Sequence, residues 1–509
     1  MDYLPDELYP VSEIRRAEQW AINDADISED ELMARAGLSA FELIQVMYPD
    51  SEDITIVCGP GNNGGDGYVL AHLAEEAGLA VQIYYLGDPE QLSAAAFAAY
   101  TACAENGIAM QPFASGTELD ADVVVDAIFG IGLERDVSGL FAQAFRAINN
   151  ADANVVALDI PSGLQADSGA ILAEAVEADI TITFIALKQG LFTGAGKRCC
   201  GDIILAELGL EEFTQDELTP VAYRVNLAEV QEAFLPRAAD CHKGDFGHVL
   251  VVGGDFGMAG AVRMAGEAAY RVGAGLVTVA TRPGHCDIVS AMRPELMCHG
   301  IQDAKELQPL LERATVVVIG PGLGREQWGK ELFTAVVKTD LPLIVDADGL
   351  YHLSQQNLQR HNWVLTPHPG EAARLLELNN DTVQRDRYMA VKTLQKNHLG
   401  VSVLKGAGTL IAGTLPEVAV CGAGNPGMAT GGMGDILSGV IAGLVAQGYA
   451  LEFAALAGVC VHAEAGDLAA LGGERGMMAT DLLPYLQLLV NPKDDDEAMS
   501  QDVLDELLV

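Results

Sequence analysis

Acidic and polar side chains follow three buried-strand candidates in the first part of the chain. Residues 59–67 follow an apolar run, Asp126 lies near the end of a valine run, and Asp159 ends another run shortly before Ser162. Each aspartate alone is typical of a cap or a turn. Because ligands of open α/β sheets bind outside the carboxyl ends of the strands, the three segments together predict one ligand site.

The segment 59–67 reads GPGNNGGDG, which differs from both the GxGxxG motif and the Walker A motif. Its glycines let the backbone approach a phosphate or a sugar without interference from Cβ atoms. Asn62, Asn63 and Asp66 add polar groups that a simple turn does not need. We therefore predict a ligand-binding loop between a strand and a helix.

A second glycine-dense segment, residues 424–440, reads GNPGMATGGMGDILSGV, and a small-residue helix is predicted to begin at Asp435. Loop N–H groups and a helix N-terminus together form an anion hole. Asp435 is either the N-cap of this helix or a catalytic base that faces a phosphoryl group, and the preceding glycines favour the base. Five further segments accompany it: KGDFGHVLVVGG at 243–254, GPGLG at 320–324, VDADGL at 345–350, TPHPGE at 366–371 and LKGAGTLI at 404–411.

Apolar runs that alternate with helix-like stretches predict the elements that position these residues. Short β-branched runs separated by helices are typical of parallel sheets covered on both faces. The fold class is therefore α/β, beginning with a Rossmann-like doubly wound parallel sheet. The predicted strands cover residues 54–58, 81–86, 123–127, 155–159, 180–184, 249–252, 276–280, 316–319, 343–345, 363–365 and 401–404, and the predicted helices cover 68–77, 259–272 and 435–446.

The chain of 509 residues is too long for one ordinary core, which predicts two domains. An acid-rich region over residues 211–240, with Pro220 and Pro236, interrupts the α/β pattern. We place the first domain at residues 1–225, the second at 226–490, and an acidic tail at 491–509.

The composition excludes several classes of function. A net charge of -43 is unsuited to nucleic acids and to anionic membranes, and it requires local N–H groups or cations to bind an anionic nucleotide. Nine cysteines without a CxxC pair indicate a reducing compartment and no structural zinc. Without a signal peptide pattern or an uninterrupted apolar stretch of about 20 residues, we expect a cytoplasmic protein, and we expect a homo-oligomer.

The segments GPGNNGGDG, VDAIFGIG and LDIPSGL resemble the signature of the YjeF N-terminal domain, the NAD(P)H-hydrate epimerase family, over roughly residues 10 to 220. The resemblance implies a potassium ion held by Asn63, Asp126 and Ser162. Asp159 and Asp126 are the acid–base candidates, while Lys188 either contacts phosphate or is a surface lysine. The implied contacts with the hydrated nucleotide are Asn62, Asn63, Gly64, Gly65, Asp66, Gly130, Ile131, Gly132, Leu133, Glu134, Arg135, Asp136 and Asp159.

The second set of segments resembles the YjeF C-terminal domain, the ADP-dependent NAD(P)H-hydrate dehydratase family, from about residue 230 to 490. Its GGMGD ending is similar to the GxGD anion hole of ribokinase-like kinases, which implies a ribokinase-like α/β fold. The resemblance implies substrate contacts at Ala261, Gly324, His368 and Asp435, with His368 as a core or capping histidine in the alternative, and a magnesium-organising Glu371. The implied ADP contacts are Lys405, Gly406, Ala407, Gly408, Thr409 and Gly434.

Together the resemblances imply repair of hydrated NADH and NADPH. One domain would interconvert the R and S forms, and the other would dehydrate the S form at the expense of ADP, releasing AMP and phosphate. In the implied mechanism Asp435 deprotonates the C6 hydroxyl, which takes the β-phosphoryl group before phosphate is expelled. A kinase for a small vitamin-like alcohol is the alternative enzyme, and a nucleotide sensor is the non-enzymatic alternative.

Overall fold

The computed structural model of the chain describes residues 4–491. Within these residues the chain forms two compact units. Unit 1 runs to Arg224 and also contains Gln384–Tyr388, whereas unit 2 comprises Val225–Val383 and the chain from Met389 onward. Nothing in the sequence pattern indicated that Gln384–Tyr388 would group with the first unit. The predicted acidic tail, residues 491–509, lies outside the described residues except for Asn491.

Unit 1 is built on a seven-stranded sheet in which all the strands are parallel, in the order β4-β3-β2-β5-β6-β7-β8. The central strands are fully buried because helices cover both faces, which explains their continuous apolar sequences. The order reverses between β2 and β5, so a crevice opens beside the carboxyl ends of these strands. The strands are β1 (Glu7–Leu8), β2 (Asp53–Cys58), β3 (Ala80–Tyr85), β4 (Ala109–Pro112), β5 (Val123–Ala127), β6 (Asn154–Leu158), β7 (Ile180–Phe184), β8 (Asp202–Ala206) and β9 (Ala222–Val225), with β1 antiparallel to β9.

Helices and short 3-10 segments complete unit 1. On α1 the buried residues Ile14, Ala17 and Ala21 form one face that joins the core, and Trp20 stacks on Phe213 at a ring-centroid distance of 4.2 Å. The helices are α1 (Val11–Asn23), α2 (Glu29–Met47), α3 (Asn62–Glu76), α4 (Ala94–Glu105), α5 (Leu140–Asn149), α6 (Gly196–Cys199) and α7 (Glu211–Glu217), and the 3-10 segments are Pro89–Gln91 and Gln189–Phe192.

Helix α3 corrects the prediction that residues 59–67 are all loop, because it begins at Asn62 rather than near Tyr68. Its glycines serve close packing as well as backbone access. A Cβ atom added to Gly64 would lie 2.1 Å from the carbonyl oxygen of Gly59, and one added to Gly67 would lie 2.6 Å from the Cβ atom of Ala127. Only glycine lets this helix start so close to the sheet.

Unit 2 contains a mixed sheet in which β18-β17-β16-β15-β14-β13-β10-β11-β12 are successive neighbours. The pairs from β16 to β12 are parallel, and the hairpins β16–β17 and β17–β18 are antiparallel. The predicted α/β class is therefore confirmed for both units. The strands are β10 (His248–Val252), β11 (Leu276–Thr281), β12 (Met297–Gly300), β13 (Val316–Ile319), β14 (Leu343–Val345), β15 (Trp363–Leu365), β16 (Val401–Leu404), β17 (Thr409–Ala412) and β18 (Val418–Cys421).

Helices again cover the sheet of unit 2. The α-helices from residue 227 onward, of which the end of α15 and the start of α16 belong to unit 1, are α8 (Leu227–Gln231), α9 (Ala259–Arg271), α10 (Cys286–Met292), α11 (Ala304–Leu311), α12 (Gln327–Val336), α13 (Ala347–Ser354), α14 (Pro369–Leu375), α15 (Asn380–Arg385), α16 (Arg387–His398), α17 (Met433–Ala446), α18 (Leu451–Ala469) and α19 (Leu483–Leu489). The 3-10 segments are Lys243–Phe246, Pro283–His285, Pro426–Met428, Ala470–Gly472 and Ala479–Leu482.

Helix α17 is the central helix of unit 2. Every residue from Ile436 to Leu444 is buried, and the helix packs closely on α9. A Cβ atom added to Gly439 would lie 2.1 Å from the carbonyl oxygen of Ala265 in α9. The small residues that the sequence shows here therefore bring two helix backbones into near contact.

Helix α18, extended to Gly472, is long and apolar enough to cross a membrane by length and composition. Within unit 2 it packs against α17, α8 and α19, and 61% of its most apolar window is buried. Because the protein itself covers that surface, we interpret α18 as a core helix.

Candidate active sites

A cavity of about 620 Å³ lies beside the carboxyl ends of β2, β5 and β6 in unit 1. Its walls come from α1, α2, the start of α3 and the loops after β5 and β6. This volume is suited to a nucleotide-sized ligand. The predicted residues that line it are Asn62, Asn63, Asp66, Gly130, Ile131, Gly132, Leu133 and Asp159.

Asp159 follows β6 in a left-handed backbone conformation, with φ at 66°. Such a conformation is unfavourable for a residue other than glycine and is often found at functional sites. Oδ2 accepts a hydrogen bond of 3.0 Å from the backbone N–H of Ile131, and Oδ1 accepts one of 2.6 Å from Nζ of Lys188. The carboxylate is therefore fixed in position and paired with a cation at the cavity wall.

Lys188 is fully buried, so the interpretation as a surface lysine is wrong. Its Nζ donates to Asp159, to Oγ1 of Thr183 at 2.8 Å and to the carbonyl oxygen of Phe184 at 2.7 Å. Because an ammonium group has three N–H donors, all of them are used. Lys188 holds Asp159, and its contact with phosphate stays a prediction.

The predicted potassium ligands lie at the ends of adjacent elements. Asp126 accepts hydrogen bonds of 2.7 Å from Oγ and from the backbone N–H of Ser162, and one of 3.2 Å from the N–H of Ile128. Burial raises the pKa of Asp126 to about 6, although these hydrogen bonds oppose the shift. Asn63 is buried, and both polar atoms of its side chain are without a hydrogen-bond partner. An oxygen-binding cation would satisfy the Oδ1 atom of Asn63, so these residues fit the implied ion.

Other predicted residues of this site lie away from the cavity wall. Asp126 is fully buried beneath it. Gly64 and Gly65 are buried within α3, and a Cβ atom at Gly65 would lie 2.4 Å from the side chain of Met33. Substrate contacts at these glycines stay predictions, as do those of the exposed residues Glu134, Arg135 and Asp136.

Sequence reasoning missed two carboxyl groups that line the same cavity, Glu18 on α1 and Glu29 on α2. Glu29 accepts a hydrogen bond of 2.8 Å from the side-chain amide of Asn62. Burial, followed by the charge of Asp159, raises the pKa of Glu18 to about 7. Burial likewise raises the pKa of Asp66 well above its usual value. No local motif surrounds Glu18, because α1 reaches the site only through the tertiary fold.

In unit 2, Asp435 is the third residue of α17, so it is not the N-cap. The cap position belongs to Gly432, whose φ of 98° favours glycine. Burial, and then the charge of Asp346, raises the pKa of Asp435 to about 7. A carboxylate with a pKa near neutrality is suited to act as a base at physiological pH.

Lys405 directly follows β16 and faces a cluster of carboxylates. Its Nζ lies 2.7 Å from Oδ1 of Asp346 and 3.9 Å from Oε2 of Glu371. Asp346 is 1% exposed, and its other oxygen accepts a hydrogen bond of 3.0 Å from Oγ of Ser438. The lysine charge keeps the pKa of Asp346 below its usual value against the effect of burial. A Cβ atom at Gly434 would lie 3.0 Å from Nζ of Lys405, so α17 begins directly against this cluster.

Gly406, Ala407 and Gly408 connect β16 to β17 after Lys405. Gly406 and Gly408 have φ values of 134° and 61°, which favour glycine. Thr409 begins β17, and its hydroxyl donates to the carbonyl oxygen of Gly406 at 3.0 Å. The segment predicted to contact ADP is therefore the tip of a hairpin.

His368 is the N-cap of α14. Its Nδ1 accepts hydrogen bonds from the backbone N–H groups of Gly370 and Glu371, while Glu371 accepts one of 2.9 Å from the N–H of His368. This arrangement is a reciprocal capping box. Burial and the Lys405 charge lower the pKa of His368, so the ring is neutral at pH 7. The alternative interpretation as a capping histidine is therefore confirmed, and the contact with substrate stays a prediction.

Gly324 has a φ of 76°, and its N–H donates to Oδ2 of Asp348 at 3.0 Å. A Cβ atom at Gly324 would lie 2.4 Å from Oδ2 of Asp255. Asp255 in turn accepts a hydrogen bond of 2.7 Å from Nε of Arg282. Ala261, in the first turn of α9, would lie 3.4 Å from a Cβ atom at Gly322. The predicted contacts Gly324 and Ala261 thus border the same glycine-rich loop.

Comparisons with known proteins agree with this division into two sites. Residues 29–190 match the family described as YjeF-related protein N-terminus, and residues 249–488 match the NAD(P)H-hydrate dehydratase family. The bifunctional NAD(P)H-hydrate repair enzyme of Coxiella burnetii is 53% identical over 490 residues, which cover 95% of this chain and 99% of that protein. The chain belongs to the bifunctional NAD(P)H-hydrate repair enzyme family.

A second relative in this family is the Escherichia coli enzyme, which is 42% identical over 495 residues that cover 97% of this chain and 96% of that protein. Among solved structures, the ADP/ATP-dependent NAD(P)H-hydrate dehydratase of Bacillus subtilis, co-crystallised with ATP and Mg²⁺, is 28% identical. It has a TM-score of 0.48 and covers 52% of this chain and 96% of its own. Membership of the repair-enzyme family is shown by the full-length relatives.

In unit 2 of this bifunctional repair enzyme, the residues that sequence reasoning missed are aspartates near the carboxyl ends of strands. Asp346 and Asp348 belong to the segment at 345–350, and Asp255 directly follows the segment at 243–254, but none of them received a role. Their position at the carboxyl ends of β14 and β10 would have supported their assignment. The pairing of Asp346 with Lys405 joins residues 59 positions apart and has no local signature.

Proposed function

We propose that unit 1 interconverts the R and S forms of hydrated NADH and NADPH, and that unit 2 dehydrates the S form with ADP as phosphoryl donor. The observation that carries this proposal is that one chain contains two separate sites, each with its own carboxyl group. Asp159, held by Lys188, lines the unit 1 cavity, and Asp435 lies at the glycine-rich start of α17.

In unit 2, hydroxide is a poor leaving group, so the C6 hydroxyl must be activated before it leaves. Asp435 takes the hydroxyl proton, and the hydroxyl oxygen forms a bond to the β-phosphorus of ADP as AMP departs. The lone pair of the ring nitrogen then expels phosphate, and loss of the C5 proton gives NADH or NADPH. The N–H groups at the start of α17 stabilise the charge that develops on the transferred group.

We assign adenine nucleotide binding to the hairpin tip Lys405–Thr409 and to Gly434. The positive charge of Lys405 supports this assignment, since the ligand is an anion in a strongly acidic protein. Glu371 and Asp346 are oxygen donors close to Lys405 and would hold magnesium, which neutralises phosphate charge when bound. ADP rather than ATP as donor is part of the proposal.

We assign potassium to Asn63, Asp126 and Ser162, where the buried amide oxygen of Asn63 needs a partner. A bound cation would offset carboxylate charge beside an anionic ligand. We also propose a cytoplasmic location and a homo-oligomeric state. The nine free cysteines support the location, because a reducing compartment keeps thiols free.

The test is recovery of reduced-nicotinamide absorbance from a mixture of R and S hydrated NADH. The assay contains full-length protein, magnesium and potassium, with ADP, ATP or no nucleotide. We expect complete recovery with ADP. Recovery that stops at the S fraction would contradict the epimerase assignment, and absence of recovery with every nucleotide would favour a small-molecule kinase.

A further inference from the structure

Glu18 faces the unit 1 cavity from a helix that carries none of the glycine-rich segments. It lies on α1, next to the buried face formed by Ile14, Ala17 and Ala21. The cavity wall includes Glu18 together with Asp66 and Asp159. With Glu29 of α2, four carboxyl groups therefore surround the space where we propose that the substrate binds.

The surroundings of Glu18 and Asp159 differ. Asp159 accepts hydrogen bonds from Lys188 and from the N–H of Ile131. Within residues 4–491, no hydrogen bond or ion pair of 4.0 Å or less stabilises a charge on half-buried Glu18. Burial without a donor favours the protonated form of a carboxyl group, whereas Asp159 is held by two N–H donors. Two carboxyl groups with opposed surroundings in one cavity are the pattern of an acid and a base.

Epimerisation at C6 needs both partners. This carbon carries the hydroxyl group and the ring nitrogen, so the ring can open without loss of hydroxide. A base takes the hydroxyl proton, a C=O bond forms, and the C6–nitrogen bond breaks with its electron pair passing to nitrogen, which receives a proton from an acid. Rotation of the aldehyde and reversal of these steps closes the ring on the other face. Both protons return to their donors, so nothing is consumed.

We propose that Glu18 is the general acid that protonates the ring nitrogen in the epimerase site, with Asp159 as the general base. The proposal rests on the proposed function of unit 1. It makes Glu18 a catalytic residue of that reaction, supplied by α1 across the cavity from the signature loops.

The charges that face Glu18 support this role. Burial raises the pKa of Glu18 to about 7; Asp159 and Glu29 add to this shift, and Lys188 and Arg15 oppose it. Asp66 also faces Glu18, and its own pKa is raised by burial. A pKa near 7 lets a group release and regain a proton at neutral pH, and Asp66 is the competing candidate.

The experiment uses full-length Glu18→Gln and omits ADP, so that dehydration is silent. Chromatographic separation of the epimers follows the approach of pure S substrate to the R–S mixture. We expect kcat for epimerisation to fall about 100-fold or more, while the dehydration rate of S substrate with ADP is unchanged. The exposed Glu42 on α2 provides the matched control, and Glu42→Gln should epimerise at the wild-type rate.

The pH profile identifies the acid. In the wild type, kcat/KM for epimerisation should fall as pH rises through about 7, because the protonated form of Glu18 is lost. Glu18→Gln should lack this fall of kcat/KM, and Glu18→Asp should epimerise faster than Glu18→Gln. If Glu18→Gln does not fold, the pH profile of Glu18→Asp tests whether residue 18 is the acid.

Three results would overturn the assignment. If Glu18→Gln epimerises at the wild-type rate, Glu18 is not the acid, although the function of unit 1 stands. The same conclusion follows if Glu18→Gln retains the fall of kcat/KM with pH and Asp66→Asn loses it. A wild-type protein that does not interconvert the epimers would overturn the function of unit 1 together with this assignment.

Discussion

At the scale of single residues, the chemistry depends on carboxyl groups whose proton affinities are set by their neighbours. Asp435 and Glu18 have pKa values raised to about 7 by burial, whereas Asp346 is kept ionised by Lys405. A sequence shows that these residues are acidic but not which of them keeps a proton. Their roles therefore depend on contacts that only the folded chain provides.

The base role of Asp435 predicts both a loss of activity and a pH dependence. Asp435→Asn should lower kcat for dehydration by about 1,000-fold, because proton removal from the hydroxyl contributes roughly this much. In the wild type, kcat/KM should rise with pH and level off above about 7, since the carboxylate is the active form. Stopped assays with pure S substrate and ADP measure both, and a variant with wild-type dehydration would contradict the role.

The buried pair of Asp159 and Lys188 predicts a link between chemistry and stability. Asp159→Asn leaves an ammonium group that is 0% exposed without its counter-charge, so unit 1 should lose about 3 to 5 kcal/mol of unfolding free energy. The double variant Asp159→Asn, Lys188→Met removes both charges and should recover much of this loss while remaining inactive as an epimerase. Urea unfolding compares the two, and equal stability of both variants would contradict the pairing.

At the scale of elements, the strands were largely predictable, and the start of α9 at Ala259 was predicted, but the starts of α3 and α17 were not. The central strands are continuous apolar runs, and β5, β7 and β13 have the predicted bounds. Edge strands such as β4 and β12 were missed because their residues are mostly exposed. The helices α3 and α17 begin earlier than predicted, because glycines that suggest a loop lie in their first turns, close to neighbouring backbone and side chains.

The close approach of α17 to α9 predicts opposite effects for two glycine substitutions. Gly439→Ala would place Cβ 2.1 Å from the carbonyl oxygen of Ala265 and should destabilise unit 2 by about 3 kcal/mol. Gly260→Ala in α9 has open space around its Cβ and should stabilise the helix by about 0.5 to 1 kcal/mol. The midpoint of urea unfolding measures both, and similar midpoints for the two variants would contradict this packing.

At the scale of the whole molecule, the residues of each predicted site belong to a single unit. The cavity around Asp159 is lined by residues of unit 1, and the cluster around Asp435 and Lys405 belongs to unit 2. The family resemblance predicted this arrangement from signature segments, and the full-length relatives confirm the family. The partners of Lys188 were not predictable, because they come from β7 and from the residue that follows β6.

This separation predicts that two damaged molecules can complement each other. The double variant Asp159→Asn, Lys188→Met should convert only the S fraction of hydrated NADH, and Asp435→Asn should only epimerise. Mixed together, they should restore complete recovery of the reduced nucleotide, because the S form can pass through solution. Absorbance of the reduced nicotinamide follows the reaction, and a mixture that stops at the S fraction would show that one molecule must carry both sites.

The burial of α17 also determines how the enzyme should fail on heating. The start of this helix, to which we assign the phosphate contacts, continues directly into a segment that is buried from Ile436 to Leu444. Its N–H groups therefore cannot lose their alignment while the surrounding core stays intact. Thermal inactivation of dehydration should coincide with cooperative melting of unit 2, so that residual activity after a heat pulse reports the fraction of molecules that remain folded.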